Sequence, residues 1–260
     1  WGGAVTWIFN SSENCGIAIT TSTAKPGEFF NVGTTVVTYV VTDSSGNLDS
    51  CDFAITVIDN EAPVAVCPAN ITVNNDSGQC GAAVTWTFSS SDNCGVATTT
   101  STANPGDFFN VGTTTVTYVV TDSSGNLDSC GFTITVIDNE APVASCPANI
   151  TVSNATGLCG ANVPFTLSAT DNCGIANETS TAFPGDFFAV GTTTLNYTVT
   201  DSAGNVDSCS FTITVNDTEA PVANCPANIT VSNDTGQCGA VVTWTFSSSD
   251  NCGVDTTIST

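Results

Sequence analysis

Cysteine and carboxylate are the side chains of this 260-residue chain whose number and spacing bear on chemistry. Cys15, Cys94, Cys173 and Cys252 fall 79 residues apart, and so do Cys51, Cys130 and Cys209. The sets Cys67, Cys146, Cys225 and Cys80, Cys159, Cys238 keep the same interval. Cysteines spaced so regularly read as cystines made in an oxidising compartment, which places the chain outside the cell or on its surface. Against 24 Asp plus Glu stand a single basic residue, Lys25, and no His, for a net charge of −23. Nothing can cluster to bind phosphate, so nucleic acid is excluded as a partner and anionic membrane surfaces are disfavoured. With no His, no Arg and one Lys, the usual nucleophile–base pairs cannot be assembled. A zinc site is opposed by the absence of a C-x-x-C pair. Paired carboxylates can cleave glycosides, but here the Asp residues recur in every period and sit in turns. The chain is therefore read as non-enzymatic.

The elements that position these groups follow from the period itself, which marks a tandem array. Residues 62–140 and 141–219 align without a gap and are identical at 55 of 79 positions. The array divides into 1–61, a repeat lacking its first strand; 62–140; 141–219; and 220–260, a repeat lacking its C-terminal strands. The sequence reads as a window from a longer array, with any export signal outside it. No apolar run reaches the length of about 18 residues that membrane spanning needs, so direct insertion is not expected. Only 10% of residues are charged while 41% are apolar, which is not the pattern of disorder. The polar surface must come from the 44 Thr and 26 Ser.

In the second repeat, apolar residues alternate with Thr at Ile71 and Val73, at Val84, Trp86 and Phe88, at Val116, Tyr118 and Val120, and at Phe132, Ile134 and Val136. A Thr-rich stretch runs from Val96 to Thr102, ahead of the turn pair Pro105-Gly106. Asp122-Ser-Ser-Gly-Asn126 has the residues of a hairpin connection. About seven short strands per period predict an all-β fold of tandem immunoglobulin-like β-sandwiches. Stacked end to end they would form a rod, each unit contributing roughly 20–30 Å of strand. Domains this small often need cross-links, and each cystine is worth roughly 2–4 kcal/mol.

Cys67-Pro-Ala-Asn-Ile-Thr-Val, Val84-Thr-Trp, Ser91-Asp-Asn-Cys-Gly, Phe109-Asn-Val-Gly, Thr121-Asp-Ser-Ser-Gly-Asn and Cys130-Gly-Phe-Thr-Ile-Thr-Val closely resemble the hyalin repeat, or HYR domain. The resemblance recurs in every repeat. It implies an immunoglobulin-like fold, an extracellular setting, adhesive or structural work and no catalysis. The cysteine content resembles the bacterial four-cysteine version, because the animal version commonly lacks counterparts of Cys80 and Cys94. That pairwise absence implies the bonds Cys67–Cys130 and Cys80–Cys94, with Cys146–Cys209 and Cys159–Cys173 in the next repeat. Trp1 stands where Cys80 would, so the same scheme leaves Cys15 unpaired. Two other schemes stay open: Cys94–Cys130 with Cys67–Cys80, and a bond from Cys80 to Cys146 across the repeat boundary.

Each boundary carries an acidic linker: Asp59-Asn-Glu61, Asp138-Asn-Glu140 and Asp217-Thr-Glu219, each followed by Ala-Pro. It resembles the linker between cadherin repeats, where calcium stiffens the junction. The adjoining end of the next sandwich should present the loops holding Asp171 and Asp201, and oxygens from several loops suit Ca2+. The opposing reading is that Asp, Asn, Gly and Pro are simply turn formers. Trp7, Trp86 and Trp244 could stack sugars as an array of carbohydrate-binding modules does, but they share a strand face with core residues, and Phe165 replaces them in the third repeat. Of Phe108 and Phe109 one should be core and one exposed, the exposed one offering a spot for lateral association. Asn70, Asn149 and Asn228 open Asn-x-Thr triplets and are candidate glycan acceptors. Together these features predict an extracellular, disulfide-stabilised rod that self-associates into a filament, or the stalk of a surface adhesin whose head lies elsewhere. Glycans or other surface proteins are the remaining candidate partners.

Overall fold

A computed structural model describes residues 2–14 and 16–258. Trp1 and Cys15 lie outside the described residues, and with them the expectation that Cys15 is unpaired. All regular elements of the described residues are strands. The described residues fall into two compact units, one within 1–76 and 81–137, the other within 77–80 and 138–260.

In the first unit, the second repeat builds a four-stranded sheet in the order Val96–Ser101, Gly112–Asp122, Leu127–Ile137, Ile71–Asn74. The last pairing is parallel, with Ile71 opposite Ile134. Across the core, Gly81–Ala83 pairs with Phe108–Asn110 and Val64–Val66 with Ser89–Ser91, both antiparallel. Period-two alternation buries Val120 and sends Val116, Tyr118, Phe132, Ile134 and Val136 inward to meet Val84, Trp86 and Phe109. The outward positions of the same strands are mostly Thr, and Thr113 and Thr135 meet across the ladder at 3.1 Å. Repeat one supplies a second cluster in this unit, Phe30, Val37, Tyr39 and Ile55.

Residues 84–88, predicted as a strand, carry no ladder. Their burial alternates as expected, with Val84 and Trp86 buried. The ladder is broken because the chain here changes partner, from Phe108–Asn110 to Val64–Val66. Gly81 has a packing reason. A Cβ there would lie 2.4 Å from the Phe109 carbonyl oxygen and 2.5 Å from the Phe108 ring. The ring of exposed Phe108 thus lies over the glycine, while Phe109 is buried.

The second unit repeats this plan. Ile150–Ser153, Val206–Asn216, Gly191–Asp201 and Ile175–Ser180 form the large sheet, and Gly160–Asn162 pairs with Phe187–Ala189. Its core includes Val163, Phe165, Phe188, Leu195, Phe211 and Ile213. Val222–Asn224 and Ser247–Ser249 pair beyond it.

Cys67 is bonded to Cys130 and Cys146 to Cys209, since the parallel pairing sets the chain before Ile71 beside the start of the last strand. The other expected bonds, Cys80–Cys94 and Cys159–Cys173, are not formed. Cys80 is bonded to Cys173 and Cys159 to Cys252, each over 93 residues, so each cystine joins one sequence repeat to the next. The physical reason is that the Ser77–Cys80 turn belongs to the second unit, where it meets the loop carrying Cys173.

Candidate metal centre

The hairpin Asp122–Asn126 is held by its own aspartate. Asp122 Oδ1 accepts the backbone N–H groups of Ser124 and Asn126, both at 2.8 Å, and Oδ2 accepts Asn126 Nδ2 at 2.7 Å. Gly125 takes the positive φ of 90° that the turn demands. Burial pushes the Asp122 carboxyl up, but the Asn126 side chain and the three loop N–H groups together hold it below the ordinary carboxylate value of 3.8. It is ionised at neutral pH. Asn126 Nδ2 also reaches the Asp59 carbonyl oxygen at 3.2 Å, which fixes the hairpin against the acidic linker.

Three carboxylates converge at this point. Ligand oxygens of Asp59, Asp92 and Asp122 lie within 4.8 Å of one another. Asp59 Oδ1 accepts Glu61 N–H at 3.2 Å and Asp92 Oδ2 accepts Cys94 N–H at 2.7 Å. Asp59 Oδ2, Asp92 Oδ1 and the neighbouring Asn93 Oδ1 are buried with no partner. Asp59 is only 7% exposed. A buried polar atom without a hydrogen bond is costly, and like charges gathered there compound the cost. Lys25 is the one basic side chain in the sequence, so the array has almost no cation of its own to offset it.

The second unit builds the same centre from Asp138, Asp171 and Asp201, again within 4.8 Å. Asp138 Oδ2, Asp171 Oδ1 and Asn172 Oδ1 are the buried oxygens without partners. Asp201 Oδ1 accepts the N–H groups of Ala203, Gly204 and Asn205 at 2.7–2.9 Å. Burial raises its pKa, and these bonds with that from Asn205 Nδ2 bring it below 3.8. Asn205 Nδ2 also donates to the carbonyls of Asp138 and Glu140, both at 3.2 Å. In the same unit Asp217 and Asp250 approach one another beside Cys252, whose sulfur is engaged in its cystine.

Of the residues singled out from sequence, Asp138, Asp171 and Asp201 are brought together, Asp59 joins the equivalent centre, and Asp217 lies with Asp250. The three glutamates are not in the clusters. Glu61 Oε2 accepts Asn93 Nδ2, and Glu140 and Glu219 accept the N–H groups of Gly78 and Gly157, each at 2.8 Å. Their longer side chains reach past the pocket to the loops around it. Asp92, Asp122, Asp250 and the asparagines Asn93 and Asn172 were missed. The period alone could have supplied them, since Asp92 and Asp122 stand 79 residues before Asp171 and Asp201.

The other candidates have structural work. Trp86 is buried, sits edge-on to Phe132 at 5.4 Å and donates from Nε1 to Tyr118 Oη at 2.9 Å. Trp7 makes the equivalent bond to Tyr39. Trp244 is exposed, and the residues that cover Trp86 have no counterparts within the 260 positions. Asn70 and Asn149 are exposed, but their Oδ1 atoms accept the N–H groups of Thr133 and Thr212 at 2.9 Å. Asn228 is also exposed.

These sandwiches, with a cystine in each complete repeat and another from one repeat to the next, define a tandem immunoglobulin-like repeat protein. The HYR domain profile matches residues 4–57, 58–136 and 137–215, and the chain belongs to the HYR domain family. It is similar to Hyalin of Strongylocentrotus purpuratus, 43% identical over 213 residues, which are 77% of this chain and 18% of that protein. Hyalin of Lytechinus variegatus is 39% identical over 220 residues, 80% of this chain and 42% of that protein. The chain thus spans less than half the length of these curated relatives. Among solved structures, Drosophila N-cadherin EC1-3 aligns over 84% of this chain and 94% of that one, at 12% identity and a TM-score of 0.31. A protocadherin gammaB7 EC3-6 cis-dimer aligns over 75% of this chain and 61% of that one, at 18% identity and a TM-score of 0.32.

Proposed function

We propose that this chain is a structural segment of an extracellular adhesive or matrix protein, with calcium held at successive repeat boundaries. The observation that carries it is the recurrent set of buried, unpartnered oxygens, Asp59 Oδ2, Asp92 Oδ1 and Asn93 Oδ1 with Asp122, and Asp138 Oδ2, Asp171 Oδ1 and Asn172 Oδ1 with Asp201. Hard oxygen donors from three loops suit Ca2+, which takes about six to eight oxygens in flexible geometry, better than Mg2+ with its strict octahedron. Zinc is disfavoured, because no His exists and the groups gathered at the two complete centres are carboxylates. When bound, the ion offsets the carboxylate charge and joins the linker to two loops of the next sandwich. An extracellular setting supports this twice over, since it supplies calcium and permits cystines.

Calorimetric titration with Ca2+ and thermal melts test this reading. Saturation at about 100-fold over Kd should stabilise by about 2.7 kcal/mol, and EDTA should remove that gain. An unchanged melting temperature in EDTA overturns it. The array is proposed to be extended and to self-associate into a filament once cations screen its negative charge. Electron microscopy of the native material separates that from an adhesin stalk, which would appear as isolated rods carrying a head.

A further inference from the structure

In each complete centre the asparagine amide is held by a hydrogen bond. In the first unit, Asn93 Nδ2 donates to Glu61 Oε2 at 2.8 Å. In the second, Asn172 Nδ2 donates to the backbone carbonyl of Gln79 at 2.9 Å. Gln79 lies in the Ser77–Cys80 turn, a piece of the preceding sequence repeat. Two further bonds of this turn end next to a ligand. Gly78 N–H donates to Glu140 Oε2 at 2.8 Å, two residues from Asp138. Cys80 is bonded to Cys173, whose N–H donates to Asp171 Oδ2 at 2.7 Å and leaves Oδ1 as the unpartnered oxygen. Gly78 has a φ of +70°, which a side chain would strain.

The same device recurs with no shared residue. Gly157 N–H donates to Glu219 Oε2 at 2.8 Å, and Asn251 Nδ2 donates to Leu158 C=O at 2.9 Å. Cys159 is bonded to Cys252, whose N–H donates to Asp250 at 2.8 Å. A turn that fixes an amide with its oxygen left free, and a carboxylate through the next N–H, presets two ligands of the centre.

We propose that the Ser77–Cys80 turn is a disulfide-locked clasp that positions Asp171 and Asn172 for the cation, so that the oxidation state of Cys80–Cys173 sets the calcium affinity of the Asp138, Asp171, Asp201 centre. This rests on the calcium reading above. The chemical step is thiol–disulfide exchange with an external dithiol. One thiolate of the dithiol attacks a sulfur of the cystine, and its second thiol resolves the mixed disulfide. The dithiol gives up two electrons and leaves as its cyclic disulfide, while Cys80 and Cys173 end as thiols carrying the two protons. Linkage is reciprocal, so bound calcium must resist this reduction by the factor that reduction weakens calcium. The Asp59, Asp92, Asp122 centre, whose amide is held by Glu61, should be indifferent to this cystine.

The test is Ca2+ titration of the whole chain with Cys80→Ser and Cys173→Ser together, with Asp138→Asn in the parent identifying which binding step belongs to the second unit. That step should weaken about tenfold and the other stay unchanged. Cys159→Ser with Cys252→Ser serves as a control that should leave both steps alone. A second measurement avoids substitution. In a dithiol redox buffer, the reduced-to-oxidised ratio at Cys80–Cys173, read by alkylation and peptide mass spectrometry, should fall about tenfold at saturating Ca2+. Unaltered affinity in the variant, or the same ratio with and without calcium, overturns the clasp while leaving the calcium reading intact. No Ca2+ binding by the oxidised parent chain overturns both.

Discussion

The second and third repeats share a backbone plan but finish their cores differently. In the second, Trp86 donates to Tyr118 Oη, and Phe88 stacks on the Tyr118 ring with centroids 3.9 Å apart. In the third, Phe165 and Leu167 occupy those positions, and Phe165 keeps only the edge-on contact to Phe211 at 5.3 Å. The indole N–H is gone, so Tyr197 needs another partner. It donates instead to Glu178 Oε2 at 2.6 Å, and Glu178 stands where the second repeat has Thr99. The loss of a donor is thus matched by the gain of an acceptor, because a buried hydroxyl left unpaired is costly. The three aspartates of each centre are unchanged between the same repeats, although gathering them opposes folding when no cation is present. The interior varies where a neighbour can compensate. Asp59 Oδ2 and Asp92 Oδ1, like Asp138 Oδ2 and Asp171 Oδ1, have no such neighbour among the described residues.

Breaking this comparison should be easiest at the cystines. Cys67→Ser with Cys130→Ser should destabilise the second repeat by about 2–5 kcal/mol, and Cys146→Ser with Cys209→Ser should cost the third a similar amount. Urea denaturation of both pairs would show whether the two repeats rely equally on this bond. At the point where they differ, Trp86→Phe should cost about 1–3 kcal/mol, from the lost ring area and the unmade bond to Tyr118. Adding Thr99→Glu should recover about 1 kcal/mol of that by recreating the third-repeat arrangement, a coupling that a double-mutant cycle measures directly. Additive costs would show that Glu178 is not the compensating group.

The smallest effect concerns pH. Burial, then the hydrogen bond and charge of Glu178, push the Tyr197 hydroxyl from 10 up to about 12. The folded pKa is raised, so this contribution to stability is fully present below pH 10 and is lost as pH rises from there through about 12. Ultraviolet titration should show Tyr197 ionising late, and Glu178→Gln should bring it to lower pH. A Tyr197 that ionises near 10 in the parent chain would contradict the buried pair.

Much of this architecture was legible beforehand. The alternation at Val116, Tyr118 and Val120 and at Phe132, Ile134 and Val136 places these residues in the core, since side chains along a strand change face at every step. The Asp122–Asn126 hairpin was legible for the same local reason, its turn chemistry being contained in five consecutive residues. The partnership of Cys80 was not. Nothing in the residues around it says which unit its turn will join. Nor could residue type separate Asp59 from Glu61, which differ in reach by one methylene and end in different bonds.

Local interactions therefore account for what the chain alone determined: the 79-residue period, the strand faces, the hairpins and the membership of an all-β repeat family. They act over a few residues and repeat wherever the same residues recur. Tertiary structure decided the 93-residue cystines, the exclusion of the glutamates from the carboxylate clusters, and the orphaned oxygens of Asp59 and Asp138. Each depends on where loops far apart in the chain come to rest, and only the packing of whole sandwiches sets that.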